Sequence, residues 1–250
     1  MLQLPEQIKV VSKDGNKGVF EISPLMAGYG ATIANPLRRA LLSSLEGAAI
    51  TSVKIKGVDH EFTSMPGVLE DVIEVIQNVK KIRFKLYGDG PVKLTLQAKG
   101  DGEVKAGDIK LTSDVELINE DQHIVTLTDK KAEFSMELDV EKGTGYVPVD
   151  QRQKEKLAIG VISVDAIFSP VKMVNFKVEN TRVGQKIDYN KITMEVETDG
   201  SIQPEEAMKK AAEILVDHFK LVSSIDVPTF AKASVGKPEG KKKVIKKKAK

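Results

Sequence analysis

The chain has 250 residues, 41% hydrophobic and 30% charged, enough for one large domain or two small ones around a sizeable core. It has no cysteine, which excludes disulfides and thiolate chemistry, and no apolar run near the ~20 residues that a membrane span needs. The net charge of +2 hides an asymmetry: residues 236–250 carry eight lysines and one glutamate, leaving the rest at −5, so the body does not read as a nucleic-acid binder.

Ile8–Val11 and Gly18–Ile22 read as two short strands joined by a turn at Asp14 and Gly15. Gly28 and Gly30 then permit backbone angles that other residues avoid, and feed an amphipathic helix. Asn35 suits its N-cap and Pro36 its first position; Thr32 would start it a turn earlier, at the expense of a backbone donor at Pro36. From Pro36 onwards Leu37, Ala40, Leu41, Ser44 and Leu45 form one stripe, while Arg39 and Ser43 point away and Arg38 borders the stripe beside Leu42. Gly47 is placed to end the helix.

Ala49–Ile55 alternates imperfectly, as a strand, and Asp59–Phe62 reads as a short extended piece. After the break at Met65-Pro66-Gly67, Val68, Val72, Val75, Ile76 and Val79 predict a second helix over Val68–Lys80. Residues 82–140 are the clearest β region. Ile82, Phe84 and Leu86 alternate with polar residues, as do Val92 to Ala98 and Ala132 to Val140, the pattern of an antiparallel sheet with one wet face. Gly143–Pro148 reads as a turn and Asp150–Lys156 as an exposed loop. Val171–Val178 and Lys191–Thr198 predict a strand pair around a connection that contains Asp188. Pro204 opens a last long helix, with Glu205 and Glu206 in its first turn. Ala207, Ala211, Ile214, Leu215, His218 and Val222 share its apolar arc, which Met208 and Phe219 widen. An arc that broad belongs deep in a core or in an interface.

The pattern carries no catalytic constellation. There is no Walker-type loop and no dinucleotide fingerprint, and His60, His123 and His218 lack metal-ligand spacing. His218, on the apolar stripe, reads as a core or interface histidine. Glu120, Asp121 and Asp199 stand beside turns and form no tight carboxylate set for two metal ions. No cofactor is expected. Arg38 and Arg39 read either as a solvated helix face or as a contact, since a guanidinium pairs bidentately with a partner carboxylate. Self-repulsion predicts a disordered lysine tail, which either touches nucleic-acid phosphates or serves solubility. The absent signal-peptide pattern and the missing apolar span fit a cytoplasmic chain.

The stretch Gly28-Tyr-Gly-x-Thr-x-x-Asn-x-Leu-Arg-Arg-x-Leu-Leu-Ser-Ser44 resembles the signature of the bacterial RNA polymerase alpha-subunit family, in its N-terminal assembly region. Further blocks resemble the same family over about residues 5–228: Gly57 to Phe62, Gly67 to Asp71, Lys142 to Pro148, Val164 to Val171, Thr181 to Val183, Glu195 to Gly200 and Pro204 to Leu215. The resemblance implies an α+β fold in two subdomains. Residues 1–46 and 171–228 would form a dimerisation subdomain of helices on antiparallel strands, with residues 47–170 as an inserted β-rich subdomain and 229–250 as the tail. It implies a non-catalytic homodimer that assembles the beta and beta-prime subunits, with omega and sigma in the same complex. Leu37, Leu41, Leu45, Ala211, Leu215 and Phe219 would lie at the dimer interface. Arg39 would contact beta, beside Arg38 and Leu42. Glu74, Lys80, Val164, Asp165, Val171, Arg182 and Lys191 would fall at or near contact regions for the large subunits. Family chains continue into a C-terminal helical domain that binds upstream DNA and activators, where this sequence has the lysine tail, so those roles are not carried over.

Overall fold

Residues 7–88, 90–152, 158 and 160–225 are described by the computed structural model. β1 (Gln7–Asp14) and β2 (Lys17–Leu25) pair as the expected hairpin, each longer than its apolar pattern suggested. Phe20, Ile22 and Leu25 of β2 face a core, and the intervening residues are more exposed.

α1 (Tyr29–Ser43) starts well before the expected Asn35 and Pro36. Gly28 is its N-cap, with φ of 85°, and Pro36 lies in its interior. Asn35 is no cap: its Nδ2 donates back to the Ala31 carbonyl at 3.0 Å. The local cap signal loses because acceptors outside the helix hold its true start. The other end also differs. The Ser44 N–H closes the last turn on the Ala40 carbonyl, and β3 (Glu46–Ile55) follows at once, so Gly47 is a strand residue. Gly47 is required by a close approach, since a Cβ there would lie 1.9 Å from the Phe168 carbonyl oxygen.

β3 is buried on both faces from Ala48 to Val53, which explains its poor alternation. The expected strand at Asp59–Phe62 is a series of turns and bends. α2 (Val72–Val79) begins later than Val68, because the Asp71 carboxylate accepts the Glu74 N–H at 2.8 Å and caps it there. The β region follows: β4 (Phe84–Leu86), β5 (Val92–Lys99), β6 (Gly102–Lys105), β7 (Ile109–Lys110), β8 (Val115–Leu117), β9 (His123–Leu127) and β10 (Glu133–Thr144). Three short strands come next: β11 (Tyr146–Val147), β12 (Val161–Ser163) and β13 (Ala166–Ile167). Most of the expected loop at Asp150–Lys156 lies outside the described residues. β14 (Val171–Val183) and β15 (Lys186–Thr198) form a long hairpin that turns at Gly184 and Gln185; Asp188 is inside β15. α3 (Pro204–Ser223) opens at its proline as expected. The lysine tail lies outside the described residues.

The architecture is α+β, with strands outnumbering helices. One antiparallel sheet has the order β1-β2-β15-β14 and carries α1 and α3. Its core joins Phe20, Ile22, Leu37, Leu41, Ile192, Met194, Ala207 and Ala211. The second sheet has the order β7-β5-β10-β3-β4-β8, with β12 also on β3. Its core is built by Val53, Val72, Val75, Phe84, Leu96, Met136 and Leu138, with α2 packed into it. Where the two sheets meet, the Arg83 guanidinium lies 3.8 Å from the Asp199 carboxylate. Within the first sheet, the Thr198 N–H at the end of β15 donates to the Asn16 carbonyl in the β1–β2 turn at 2.9 Å.

Candidate partner interface

Three surface regions gather the expected contact residues. The first is the outer side of α1. Arg38 and Arg39 are both exposed. The Arg38 Nε donates to the Val174 carbonyl on β14 at 3.3 Å, which pins the middle of the helix to the sheet. The Arg39 carbonyl accepts the Ser43 hydroxyl at 2.8 Å, and Leu42 is half-buried against the core. On the same sheet, Lys191 stands between Glu21 and Glu179, at 3.7 and 3.6 Å. The hydrogen bond from Lys177, helped by Lys191, holds the Glu179 carboxyl below its usual range. The Lys191 charge is thus already matched within the chain. Arg182 is exposed at the hairpin turn, its Nε donating to the Gly184 carbonyl at 2.8 Å. Val171, by contrast, is 5% exposed and packs in the core, so it has no side-chain surface for a partner.

The second region belongs to the other sheet. Lys80, at the C-terminal end of α2, pairs with Asp165 at 3.0 Å. Asp165 also accepts the Val149 N–H at 3.1 Å, and these two donors, Val149 first, hold its carboxyl below the ordinary range. Val164 is buried; its N–H donates to the Thr51 carbonyl at 3.0 Å and its own carbonyl accepts the Arg152 guanidinium. It shapes the backbone here and offers no side-chain contact. Glu74 is exposed, on the first turn of α2. Beside the ion pair lies a cleft of about 240 Å³ lined by Phe62, Ile73, Ile76 and Ile162. Phe62, 78% exposed, was not among the expected contacts, and a lone aromatic in an irregular turn leaves no periodic signal.

The third region is α3 and the strand beside it. Leu37, Leu41 and Leu45 of the α1 stretch, and Ala211 of α3, are buried in the chain's own core. Their apolar surface is already covered, which removes them as direct contacts with a second copy. Leu215 is half-buried. Beyond it the helix stands clear of the sheet: Val216, Phe219, Leu221, Val222 and Ile225 are all exposed, Phe219 at 62%. His218 is exposed as well, its Nδ1 2.7 Å from the Ile214 carbonyl, and so is no core residue. Between β1 and α3 runs an open groove of about 630 Å³, floored by Ile8, Val10, Phe20, Met208 and Ala212.

No group of three or more histidine, aspartate or glutamate side chains could hold a metal ion among the described residues. His123 lies 2.8 Å from Glu70 and 3.0 Å from Glu103, where it ties the approach to α2 onto β9 and β6. Asp199 receives the Ser201 N–H and hydroxyl at 2.9 and 2.6 Å, a turn-forming role. No described helix is long and apolar enough to cross a membrane.

Comparison with known proteins adds to this geometry. Residues 53–169 match the RNA polymerase Rpb3/RpoA insert domain. A DNA-directed RNA polymerase subunit alpha from Symbiobacterium thermophilum is 51% identical over 216 residues, covering 86% of this chain and 68% of that one. The subunit of the same name from Moorella thermoacetica is 50% identical over 222 residues, covering 88% of this chain and 71% of the relative. The one from Clostridium kluyveri is 49% identical over 235 residues, covering 94% and 74%. On these similarities the chain belongs to the DNA-directed RNA polymerase alpha-subunit family.

Proposed function

We propose that two copies of this chain pair and together scaffold the beta and beta-prime subunits of RNA polymerase, with omega and sigma in the same complex and no active site or cofactor in this chain. The observation that carries the pairing is the end of α3. Among the described residues, five apolar side chains beyond Leu215 are exposed, and the groove between β1 and α3 on the same surface has an apolar floor, Ile8, Val10, Phe20, Met208 and Ala212, edged by charged residues of α3. A two-fold contact lets each copy lay its helix end into the other's groove, an isologous arrangement. Burying one phenylalanine and the aliphatics around it contributes roughly 1.5–3 kcal/mol per side chain, twice over by symmetry.

In this reading the unit formed by residues 1–46 and 171–228 makes the dimer and presents Arg38 and Arg39, while the unit 47–170 presents the Lys80–Asp165 cleft. The chain acts in the cytoplasm, and DNA is met through the assembled complex or weakly through the lysine tail. Native mass spectrometry of the chain co-expressed with beta and beta-prime tests the reading. The expected product holds two copies of this chain. Phe219→Asp is expected to yield single copies with an unchanged fold, and Arg39→Ala to keep the pair but weaken capture of a large subunit. A monomer in every sample would defeat it.

A further inference from the structure

α1 lacks the usual means of holding a helix N-terminus. Its N-cap, Gly28, has no side chain, its first turn has no acidic residue, and Pro36 withholds a backbone donor from its interior. The missing acceptor comes from β15. The Asn190 Oδ1 accepts the Gly28 N–H at 2.8 Å and the Gly30 N–H at 3.2 Å, and Asn190 is only 8% exposed. Its Nδ2 donates to the Asn180 Oδ1 on β14 at 3.2 Å, so the amide is fixed with its oxygen towards the helix. Gly30 makes the approach possible: a Cβ there would lie 2.5 Å from a Val178 methyl and 3.2 Å from the Asn190 side chain.

This anchor fixes both the register and the rotation of α1. Arg38 sits eight residues past Gly30, about 12 Å along the axis, and a slip of one residue would turn its side chain by roughly 100°. The bond from Arg38 to Val174 is a second pin, on β14. We propose that Asn190 is a positioning residue: from β15 it sets the direction in which Arg38 and Arg39 face a large subunit. The inference rests on the reading of the α1 face as a partner contact.

The test compares Asn190→Ala, Asn190→Asp and Asn180→Ala in the full chain co-expressed with beta and beta-prime, with Arg39→Ala alongside. Amide exchange is followed at residues 28–34, with β10 as the internal control, and large-subunit capture is read by native mass spectrometry. Losing the acceptor is expected to speed exchange at the start of α1 about tenfold, with β10 unchanged, and to reduce capture. Asn190→Asp keeps the acceptor, and the exposed Asn180 can turn its amide to meet it, so this variant restores both readouts. Asn180→Ala, at an exposed position that the fold tolerates, frees the amide to rotate and gives an intermediate effect on both. Unchanged exchange overturns the anchor. Faster exchange with undiminished capture, in Asn190→Ala or, should that variant not fold, in Asn180→Ala, overturns the positioning role. If Arg39→Ala captures normally, the contact reading itself falls and takes the positioning role with it; if it is deficient while the Asn190 and Asn180 variants capture normally, the positioning role alone falls.

Discussion

At α2 the Asp71 carboxylate accepts the N–H of Glu74, three residues away, while at α1 the corresponding acceptor is Asn190, 160 residues beyond Gly30. The two helices differ in autonomy as a result. α2 carries its own start signal and a valine stripe, Val72, Val75 and Val79, that packs into its core. α1 has a glycine cap and an interior proline, and takes its acceptors from β15 and its stripe's partners from a sheet whose strands lie at opposite ends of the sequence. Where α2 starts is fixed within its own segment, although its packing still depends on the core; where α1 starts is fixed only once β15 is in place. The sheet, not the helix, therefore decides where Arg38 and Arg39 point, which is the property that the proposed contact would use.

The sharpest way to break the comparison is at Leu41, which is fully buried under α1. If α1 depends on tertiary contacts, Leu41→Ala should cost about 2–5 kcal/mol in chemical denaturation, through lost transfer energy and the cavity left behind. A cost below about 1 kcal/mol would mean that α1 stands without its packing, and the contrast with α2 would lose its basis.

The same contrast explains how much of the molecule is legible in the sequence. The strands β5 and β10 were legible because Leu94, Leu96, Phe134, Met136, Leu138 and Val140 alternate within a single segment, with one face buried. α3 was legible from Pro204 and the two glutamates that follow it. The start of α1 was not. Asn35-Pro36 is a sound local cap signal, and nothing near it reveals that Asn190 serves residues 28 and 30 instead. Gly47 likewise owes its identity to Phe168, a contact that no local window contains. For the candidate site, the arginines of α1 and the residues Lys80 and Asp165 were picked as contacts by the family resemblance alone; the structure adds that both arginines are exposed and that Lys80 and Asp165 pair with each other. The apolar stripe did not separate inner from outer contacts: Leu41 and Ala211 are spent in the chain's own core, and Phe219 is left outside. A period of 3.6 marks the face that is covered but not what covers it.

A smaller effect sharpens the comparison at α2. Asp71→Ala removes the cap and should cost about 1 kcal/mol, within 0.5–2, as at other N-caps. The loss should stay local. Amide exchange should quicken at Val72–Val75 and leave α1 and the β14–β15 hairpin unchanged, whereas substitutions at Asn190 act on a distant helix. Exchange that quickened equally in α1 would show that α2 too is coupled to the whole.

The smallest expected effect concerns pH, and it falls on one helix only. Glu70 precedes the α2 cap; one of its oxygens accepts the Thr126 N–H at 2.7 Å, and the other meets the Thr126 hydroxyl and the His123 ring. Burial pushes its carboxyl up, but these three partners outweigh burial and bring it below its ordinary value of 4.5. A carboxyl depressed in the folded state adds stability above its unfolded pKa and loses that share as the pH falls through the folded value. The connection from β9 to α2 should therefore loosen as the pH drops below about 4.5. The start of α1, whose acceptor is an amide with no proton to gain, has no such term of its own. Protection factors measured between pH 5.5 and 3 should fall at residues 68–74 relative to residues 28–34, and Glu70→Gln should flatten that difference. An equal fall in both helices, or a difference that survives Glu70→Gln, would place the acid sensitivity elsewhere than in the bonds between Glu70 and β9.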